Sequence, residues 1–536
     1  MSDKPTFKNH KVMNYFFTQC ENKDFYICNN EKCSAKIKQK LNSGYTNLKN
    51  HVKKCTGKDY LEIYNEVCKN CKSEEDLQAF GYVNSREKDV YALLEWITQR
   101  NIPLSELDNT ITRSMLKTKP LSSKTMRKYI LSLLPYVENK IASVLPDKFA
   151  LEFDGWTSGS THYIAIFASY CVDGVQNETL LALAPLLNEE SLDAEQHIDF
   201  IKATLEIFGK KIENVVAFIG DNCATNQKIS RLTGIPLVGC ASHKFNLAVN
   251  KWLESNPVFN DIITKVHDIM KELRTLKNAA RLRNITDLCA VQNNVTRWSS
   301  NFSMLERFLR IEEDIRKIPE MEDHSLMPSR RRQLEVLMTH FQKFQSITKN
   351  LQQQGLTPAI VRPVFEAVVE DYPEMGEYLG DSATIVCSPD FENGLVKVMN
   401  GRNGAMSADE KAATEMLKIE GSESSDTDRI EEKLGYFDKC KRRKVSTVKK
   451  ESIYIDCSFI VATSNTVERL FSTCKHVLTD SRKSMSPIMF EAIIFLKVNK
   501  YFWNVKMVAS AMQSQPKEPE RDRDEFYSDN DNNLSD

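Results

Sequence analysis

The sequence predicts a multidomain α+β protein, in which a small metal-binding module precedes an α/β core interrupted by an all-α insertion. Three observations support this prediction. Residues 1–60 hold twelve Lys and a compact group of Cys and His, residues 149–253 alternate β-rich with helical runs, and residues 255–395 are helical in pattern. With 536 residues, 41% of them hydrophobic, the chain is long enough for roughly two to four domains.

The distribution of charge and the positions of the cysteines indicate which class of protein this chain belongs to. The formal net charge of -1 hides a basic start, with twelve Lys against five acids in residues 1–60, and an acidic end, with eight acids against three bases in residues 517–536. Most of the fourteen Cys stand singly in apolar segments, which favours reduced thiols in an intracellular protein. No apolar run approaches the roughly 20 residues of a membrane span, so we expect neither secretion nor a membrane partner. The basic end is where nucleic acid is expected.

The basic end also carries a pattern typical of a structural zinc site. Cys28-x4-Cys33-x17-His51-x3-Cys55 offers three thiolates and one imidazole, a ligand set of closed tetrahedral sites. His51 and Cys55 are four residues apart, on one face of a predicted helix, and the other pair suits a hairpin, which together give a ββα-like module. So small a module needs the metal to fold. Unrelated buried cysteines are the alternative, and the pair Cys68 and Cys71 is left unassigned.

A helical connector over residues 61–147 precedes the α/β core. KFALEFD, HYIAIFASYCVD and ETLLALAPLL predict three strands, followed by a helix over residues 192–208. NVVAFIGD predicts the next strand, then come a short helix over 227–232, the strand PLVGC and a helix over 244–253. Three strands, helix, strand, helix, strand, helix is the order of an RNase H-like core.

Two aspartates stand at the ends of predicted strands. Asp154 ends LEFD and Asp221 ends VVAFIGD, so their carboxylates converge if the two strands are neighbours in the sheet. Hard divalent cations bind such oxygens, and two metal ions can activate the attacking oxygen and stabilise the leaving oxygen at a phosphodiester. A turn role is the simpler alternative for an Asp before Gly or Asn, and a catalytic site needs a third acid.

Several segments in order along the chain resemble the hAT superfamily of DNA transposases. They are the aromatic VMNYFF with the CxxxxC and HxxxC pairs, which is similar to a BED-type zinc finger, then CASHKFNLAVNKW, NVTRWSSNFSMLERF, SNTVERLFST and DSRKSMSPIMFEAIIFLKVNKYF. The matches run from about residue 15 to 503. Their common order is far more specific than any single match.

The resemblance implies roles for individual residues. Glu468 corresponds to the third catalytic acid, although with Asn465 it also fits a capping box. His243 is expected to support the acids or to be an ordinary core histidine. Arg297 is expected to contact DNA phosphate, and Trp298 either to stack on an unpaired base or to pack in the core.

The resemblance also implies cofactors and partners. They are Zn²⁺ in the finger, Mg²⁺ or Mn²⁺ at the acids, double-stranded DNA and a second copy of the chain, with no small-molecule substrate. Phosphate contacts are expected from lysines on the finger helix, and a basic run suits nuclear import or phosphate contact. These residues are Lys49, Lys53 and Lys54 in the helix and Lys441, Arg442, Arg443 and Lys444 in the run.

Six segments follow from these patterns. They are the BED-type finger (8–60), the helical connector (61–147), the first part of the RNase H-like core (148–304), a helical insertion with a flexible charged stretch (305–450), the last part of the core with the C-terminal dimerisation region (451–510), and a disordered acidic tail (511–536). The insertion is shorter than in active members of the family, a departure that bears on transposition.

Two functions from different classes fit these expectations. The first is a nuclear hAT-type transposase that binds DNA through the finger and cuts and joins strands at the acids. The second is a domesticated, catalytically silent descendant that binds DNA and regulates transcription. A third function, RNA binding, is supported only by the general basic character of the finger.

Overall fold

The computed structural model describes residues 13, 16–20, 24–30, 33, 35–39, 44–60, 62–63, 85–294, 297–319, 321, 326–419, 453–478 and 485–514. These fall into two compact units, the first drawn from Met1–Ser143 and His476–Asp536 and the second from Val144–Lys475. The basic run at residues 441–444, the pair Cys68 and Cys71 and the acidic tail lie outside the described residues.

Eight strands and eighteen α-helices are described. The strands are β1 (Phe17–Gln19), β2 (Phe25–Cys28), β3 (Lys36–Lys38), β4 (Phe149–Ser158), β5 (Thr161–Val172), β6 (Val175–Pro185), β7 (Val215–Gly220) and β8 (Leu237–Gly239). The helices are α1 (Thr46–Thr56), α2 (Ser85–Arg100), α3 (Thr110–Met115), α4 (Ser123–Ala142), α5 (Ala194–Ile207), α6 (Ala224–Thr233), α7 (Ala241–Glu254), α8 (Pro257–Glu272), α9 (Leu276–Arg283), α10 (Trp298–Ile315), α11 (Pro328–Leu351), α12 (Pro358–Asp371), α13 (Gly376–Leu379), α14 (Pro389–Met399), α15 (Ala408–Ala413), α16 (Asn465–Val477), α17 (Pro487–Val498) and α18 (Val505–Gln513).

The first unit begins with a sheet of three antiparallel strands, β1-β2-β3, followed by α1. The sequence predicted two strands before this helix, and the third is β1. Phe17, Leu48 and Val52 are buried in a small core under the sheet. The helix ends at Gly57, whose φ of 75° is the left-handed conformation that Gly adopts most readily at this position.

The remaining helices of the first unit include the C-terminal segment. Phe490, Ile493 and Leu496 of α17 are buried within the unit, where α17 packs against α2 and α4. The ammonium group of Lys497 donates to the carbonyls of Thr98 and Gln99 at 3.1 and 2.8 Å. Most apolar side chains of α17 are therefore covered within this unit, and Ile488 is an exposed exception.

The second unit is organised around a five-stranded sheet in the order β6-β5-β4-β7-β8. Strands β4, β5 and β6 are antiparallel neighbours, β7 pairs in parallel with β4, and β8 pairs in parallel with β7. All six residues of β7 are buried, as expected of a strand covered on both faces. The element order from β4 to α7 is the one that the sequence predicts.

Helices α8 to α13 pack with α7 around one apolar core in the same unit. Trp252 of α7 lies edge-on to Phe344 and Tyr372, with ring centroids 5.1 and 5.9 Å apart. A second cluster joins β4, β7 and β8 to α14 and residues 453–461. In the described part of the chain, no helix combines the length and apolarity that crossing a membrane requires.

Candidate metal centres

The four predicted zinc ligands come together in the first unit. Cys28 ends β2, Cys33 lies in the turn before β3, and His51 and Cys55 are one turn apart on α1. Their ligand atoms all lie within 4.8 Å of one another, and the Sγ of Cys33 is 3.2 Å from Nε2 of His51. The ring of Phe17 packs edge-on against His51, with the centroids 5.9 Å apart.

The protonation of these ligands fits a metal site. Burial raises the pKa of Cys55 to about 12, and the Cys28 sulfur beside it adds to the rise. Burial also raises the pKa of Cys28, and it lowers the pKa of His51. The thiols of Cys28 and Cys55 therefore resist ionisation unless a cation lies among them, and Zn²⁺ takes a donor set of three sulfurs and one imidazole.

The lysines near this centre differ in what they contact. Lys53 and Lys54 are exposed on α1, whereas the ammonium group of Lys49 lies 4.6 Å from the centroid of the Tyr60 ring. Lys36 of β3 lies 4.9 Å from the ring of Phe25. Lys53 and Lys54 are thus the most accessible of the predicted phosphate contacts on this helix.

In the second unit, strand register aligns Asp154 with Asp221. Strands β4 and β7 are parallel neighbours, with Glu152 opposite Ile219. Asp154 and Asp221 each follow two residues later, so both lie at the same level along the two strands. Asp221 follows the end of β7, as predicted, but the prediction that Asp154 ends its strand is wrong, because β4 continues to Ser158 in its pairing with β5. The N–H of Gly155 donates to Oδ1 of Asp154 at 2.8 Å, and the amide of Asn226 donates to Oδ1 of Asp221 at 2.7 Å.

Glu468 reaches the same edge from α16. Phe471 of this helix stacks on Trp156 of β4, with centroids 5.8 Å apart, and Glu468 is three residues earlier on the same helical face. The carboxylate of Glu468 pairs with the guanidinium of Arg297 at 3.0 Å, and both side chains are partly exposed. Asn465, the expected N-cap, is the first residue of α16, and its side-chain amide donates to the carbonyl of Leu351 at 2.6 Å.

The three acids influence one another electrostatically. Burial raises the pKa of Asp154 to about 7, and the carboxylates of Asp221 and Glu468 add to the rise. The N–H of Gly155 and the guanidinium of Arg297 act in the opposite direction. Within the described residues, these carboxylates do not approach one another as closely as the zinc ligands do. We call this group of three carboxylates the acid edge.

Cys240 braces the segment that leads to Glu468. It is buried before α7, and its Sγ accepts from the N–H of Ser464 at 3.4 Å and from the N–H of His243. The N–H of Ala241 donates to the carbonyl of Ala462 at 2.8 Å. The CxxH segment therefore supports the approach to α16 through its cysteine. In the described region, the imidazole of His243 has no hydrogen bond to the acid edge.

Stacking of Trp298 on an unpaired base, one of its two expected roles, is wrong. Its side chain is 2% exposed, and its ring packs edge-on against Phe341 and Phe344, with centroids 5.4 and 6.0 Å apart. Core packing is the role that the structure assigns to it. As the first residue of α10, Trp298 fixes the start of the helix and with it the preceding Arg297.

Sequence reasoning missed a buried carboxyl group and a buried ion pair in this unit. Glu152 is fully buried two residues before Asp154, and neither carboxylate oxygen has a hydrogen-bond partner. Alternation along β4 places it on the same face as Asp154, a signal that LEFD offered. The second is a buried ion pair between Lys244 of α7 and Glu392 of α14, with an N–O distance of 2.9 Å, which no local pattern indicates.

Comparison with known proteins adds a family match within the second unit. Residues 238–341 match the family model of the ZBED1 RNase-like helical domain. The chain is also 26% identical over 119 residues to "Uncharacterized protein UU049" of Ureaplasma parvum serovar 3, covering 21% of this chain and 70% of that protein. The family match supports a transposase-derived origin, and the Cys3His group is compatible with a zinc finger.

Proposed function

We propose that this chain is a hAT-type transposase-like protein, which recognises double-stranded DNA through a BED-type zinc finger and cuts and joins DNA strands at the acid edge. The observation that carries the proposal is the register of β4 and β7, because it aligns Asp154 with Asp221 at one level. The family match at residues 238–341 lies between Asp221 and Glu468, where a transposase-derived helical domain is expected.

The donors at the acid edge fit Mg²⁺ or Mn²⁺. Carboxylate oxygens are the ligands of hard divalent cations. Burial raises the pKa of Asp154, and the negative charges of Asp221 and Glu468 add to the rise, which Arg297 offsets only in part. Asp154, Asp221 and Glu468 would hold the metal, which when bound supplies charge stabilisation to the attacking and leaving oxygens. The amide of Asn226 orients the carboxylate of Asp221.

Arg297 has two partners in this proposal. Without DNA it pairs with Glu468, and with DNA bound its exposed guanidinium contacts a backbone phosphate, which leaves Glu468 free for the metal. Burial of Trp298 in the helical core gives Arg297 a fixed starting point. In the hAT family, the attacking oxygen belongs to water during cleavage and to a DNA 3′-hydroxyl during joining.

The zinc finger supplies recognition of the DNA ends. Lys53 and Lys54 are exposed on the finger helix and contact phosphates, with Lys49 as a third contact after it leaves the Tyr60 ring. Phosphate contacts of this kind set the position of a protein on DNA and do not read its sequence. We further propose a nuclear location and a homo-oligomer, because both accompany this chemistry in the family.

The competing proposal is a domesticated DNA-binding protein that regulates transcription without cutting. The ion pair between Arg297 and Glu468 favours it, since it occupies one of the three acids. Conversely, a pure binding protein has no physical need for three acids at one sheet edge. The intact acid edge therefore favours the enzyme.

Cleavage of labelled duplex DNA tests the proposal directly. The substrate carries inverted repeats from the flanks of the gene, and the full-length chain is incubated with Mg²⁺ or Mn²⁺. We expect cleavage that Asp221→Ala abolishes without loss of binding, and binding that Cys28→Ser abolishes. Asp199→Ala, an exposed aspartate of α5, is the matched control and keeps both activities. Tight binding without cleavage under either metal would instead establish the domesticated protein.

A further inference from the structure

A groove in the second unit carries positive charge that the proposed chemistry does not use. It lies between the end of α8, helix α9 and the loop that follows, and it encloses about 460 Å³. Its lining includes Arg274, Arg283, Leu288, Cys289 and Gln292. We call it the arginine groove.

The charge of this region is strongly one-sided. Residues 271–294 contain five basic and two acidic residues. Arg274 and Arg283 are exposed, and neither forms a salt bridge with an acidic residue in the described part of the chain. The guanidinium of Arg274 donates to the neutral side chain of Gln292 at 2.7 Å. Two accessible guanidinium groups without acidic partners favour phosphate as their ligand.

The wall of the groove is held in place by hydrogen bonds. Arg307 of α10 donates to the carbonyl of Cys289 at 2.6 Å. Farther along the loop, the amide of Asn293 donates to Asn301 at 2.6 Å, and the hydroxyl of Ser300 donates to the carbonyl of Asn294 at 2.5 Å. The loop is therefore fixed to the first turns of α10, and the groove is formed before any ligand arrives.

The same loop leads to the acid edge. Gln292 precedes Arg297 by five residues, a span of at most about 17 Å in an extended chain. Arg297 contacts Glu468. Because each base pair of B-DNA advances about 3.4 Å along the axis, a duplex that reaches both places would meet the groove within roughly five base pairs of the acids.

We propose that the arginine groove binds the sugar–phosphate backbone of double-stranded DNA beside the acid edge, through Arg274 and Arg283. This inference rests on the proposed function and adds a second DNA contact, separate from the zinc finger. The groove holds the duplex flank, while the finger recognises the element end.

The salt dependence of DNA binding measures the number of phosphate contacts. Duplex DNA is titrated with the full-length chain at several KCl concentrations, and the unmodified chain is compared with Arg274→Ala/Arg283→Ala. Loss of two phosphate contacts lowers the slope of log K against log salt by about 1.8, which corresponds to roughly 30-fold weaker binding at 0.15 M salt. The control Arg332→Ala/Lys349→Ala removes two exposed charges of α11 and leaves the slope unchanged.

Cross-linking locates the DNA independently of affinity. Cys289 is exposed at the groove, so duplexes that carry a tethered pyridyl disulfide at successive phosphates should exchange with its thiol at one or two neighbouring positions. The exchange forms the protein–DNA disulfide and releases thiopyridone. Cys289→Ser removes that cross-link. An unchanged salt slope in the double variant, or no cross-link that depends on Cys289, refutes the groove while the unmodified chain still binds DNA. Failure of the unmodified chain to bind any duplex refutes the proposed function together with the groove.

Discussion

Replacing Asp154 with Asn should stabilise the metal-free protein at alkaline pH. Its folded pKa lies at about 7 against an ordinary value of 3.8, because burial and the neighbouring carboxylates disfavour the charged form. The stability that this group contributes is therefore complete below pH 3.8 and is lost as the pH rises to about 7. At 1.36 kcal/mol per pH unit, the charged side chain costs at most about 4 kcal/mol above pH 7.

The Asp154→Asn variant keeps the shape of the side chain and an oxygen that accepts from the N–H of Gly155, and it removes the charge. Calorimetric unfolding of the full-length chain without divalent ions measures the effect at pH 8 and pH 5. Near 60 °C, about 2.1 cal/mol/K per residue converts about 4 kcal/mol into at most about 6 °C for a unit of this size. At pH 5 the difference should fall to less than half, because most of the charge penalty develops above that pH.

Magnesium should act in the opposite direction. Burial and the neighbouring carboxylates disfavour the charged form of Asp154, and a cation at the acid edge stabilises that form. Mg²⁺ should therefore raise the unfolding temperature of the native chain and leave Asp154→Asn unchanged. Asp199→Asn, on the exposed face of α5, is the matched control. Equal unfolding temperatures of native and Asp154→Asn protein at pH 8 would show that the charged carboxylate of Asp154 does not destabilise the fold.

Three further predictions concern other contacts. Because burial holds the Cys55 thiol protonated, zinc binding near pH 7 should release at least two protons and should strengthen as the pH rises. Calorimetry in buffers of different ionisation enthalpy measures the proton release, and proton-independent binding would contradict the ligand set. Arg297→Ala should change the free energy of unfolding by less than about 1 kcal/mol, because its pair with Glu468 is partly exposed. It should nevertheless lower the DNA cleavage rate by tenfold or more, and an unchanged rate would show that Arg297 has no role in cleavage. Lys244→Met should lower the free energy of unfolding by about 3–5 kcal/mol, because it leaves Glu392 buried and unpaired. In thermal unfolding, the double variant Lys244→Met/Glu392→Leu should recover most of that loss, and no recovery would mean that the pair is not coupled.

Local patterns in the sequence were enough to predict the Cys3His cluster and the position of Asp221 directly after a strand, but not the extension of β4 beyond Asp154. The spacing of His51 and Cys55 fixes them on one helical face, and the apolar run before Asp221 fixes it at the end of a strand. These inferences need only the periods of helix and strand. The neighbourhood of β4 and β7 was a condition that the sequence left open, and the sheet order meets it.

Contacts between distant residues could not be read in this way. Arg297 and Glu468 are 171 residues apart, and Lys244 and Glu392 are 148 residues apart, so no local period relates them. Trp298 shows a different limit. A Trp beside an Arg fits both a binding surface and a core, and only the rings of Phe341 and Phe344 decide between these roles.

Acidic side chains on the face of β4 that carries Asp154 destabilise the fold, whereas apolar side chains on the opposite face stabilise it. Glu152 is fully buried there, and burial, with the carboxylate of Glu178 beside it, raises its pKa well above the ordinary range. A buried carboxyl group without a partner costs about 1–3 kcal/mol, which an apolar side chain at the same place would avoid. Phe149, Leu151 and Phe153 fill the opposite face with such side chains. Folding alone therefore does not explain the acids on this face, whereas the role in cation binding that we propose would explain them.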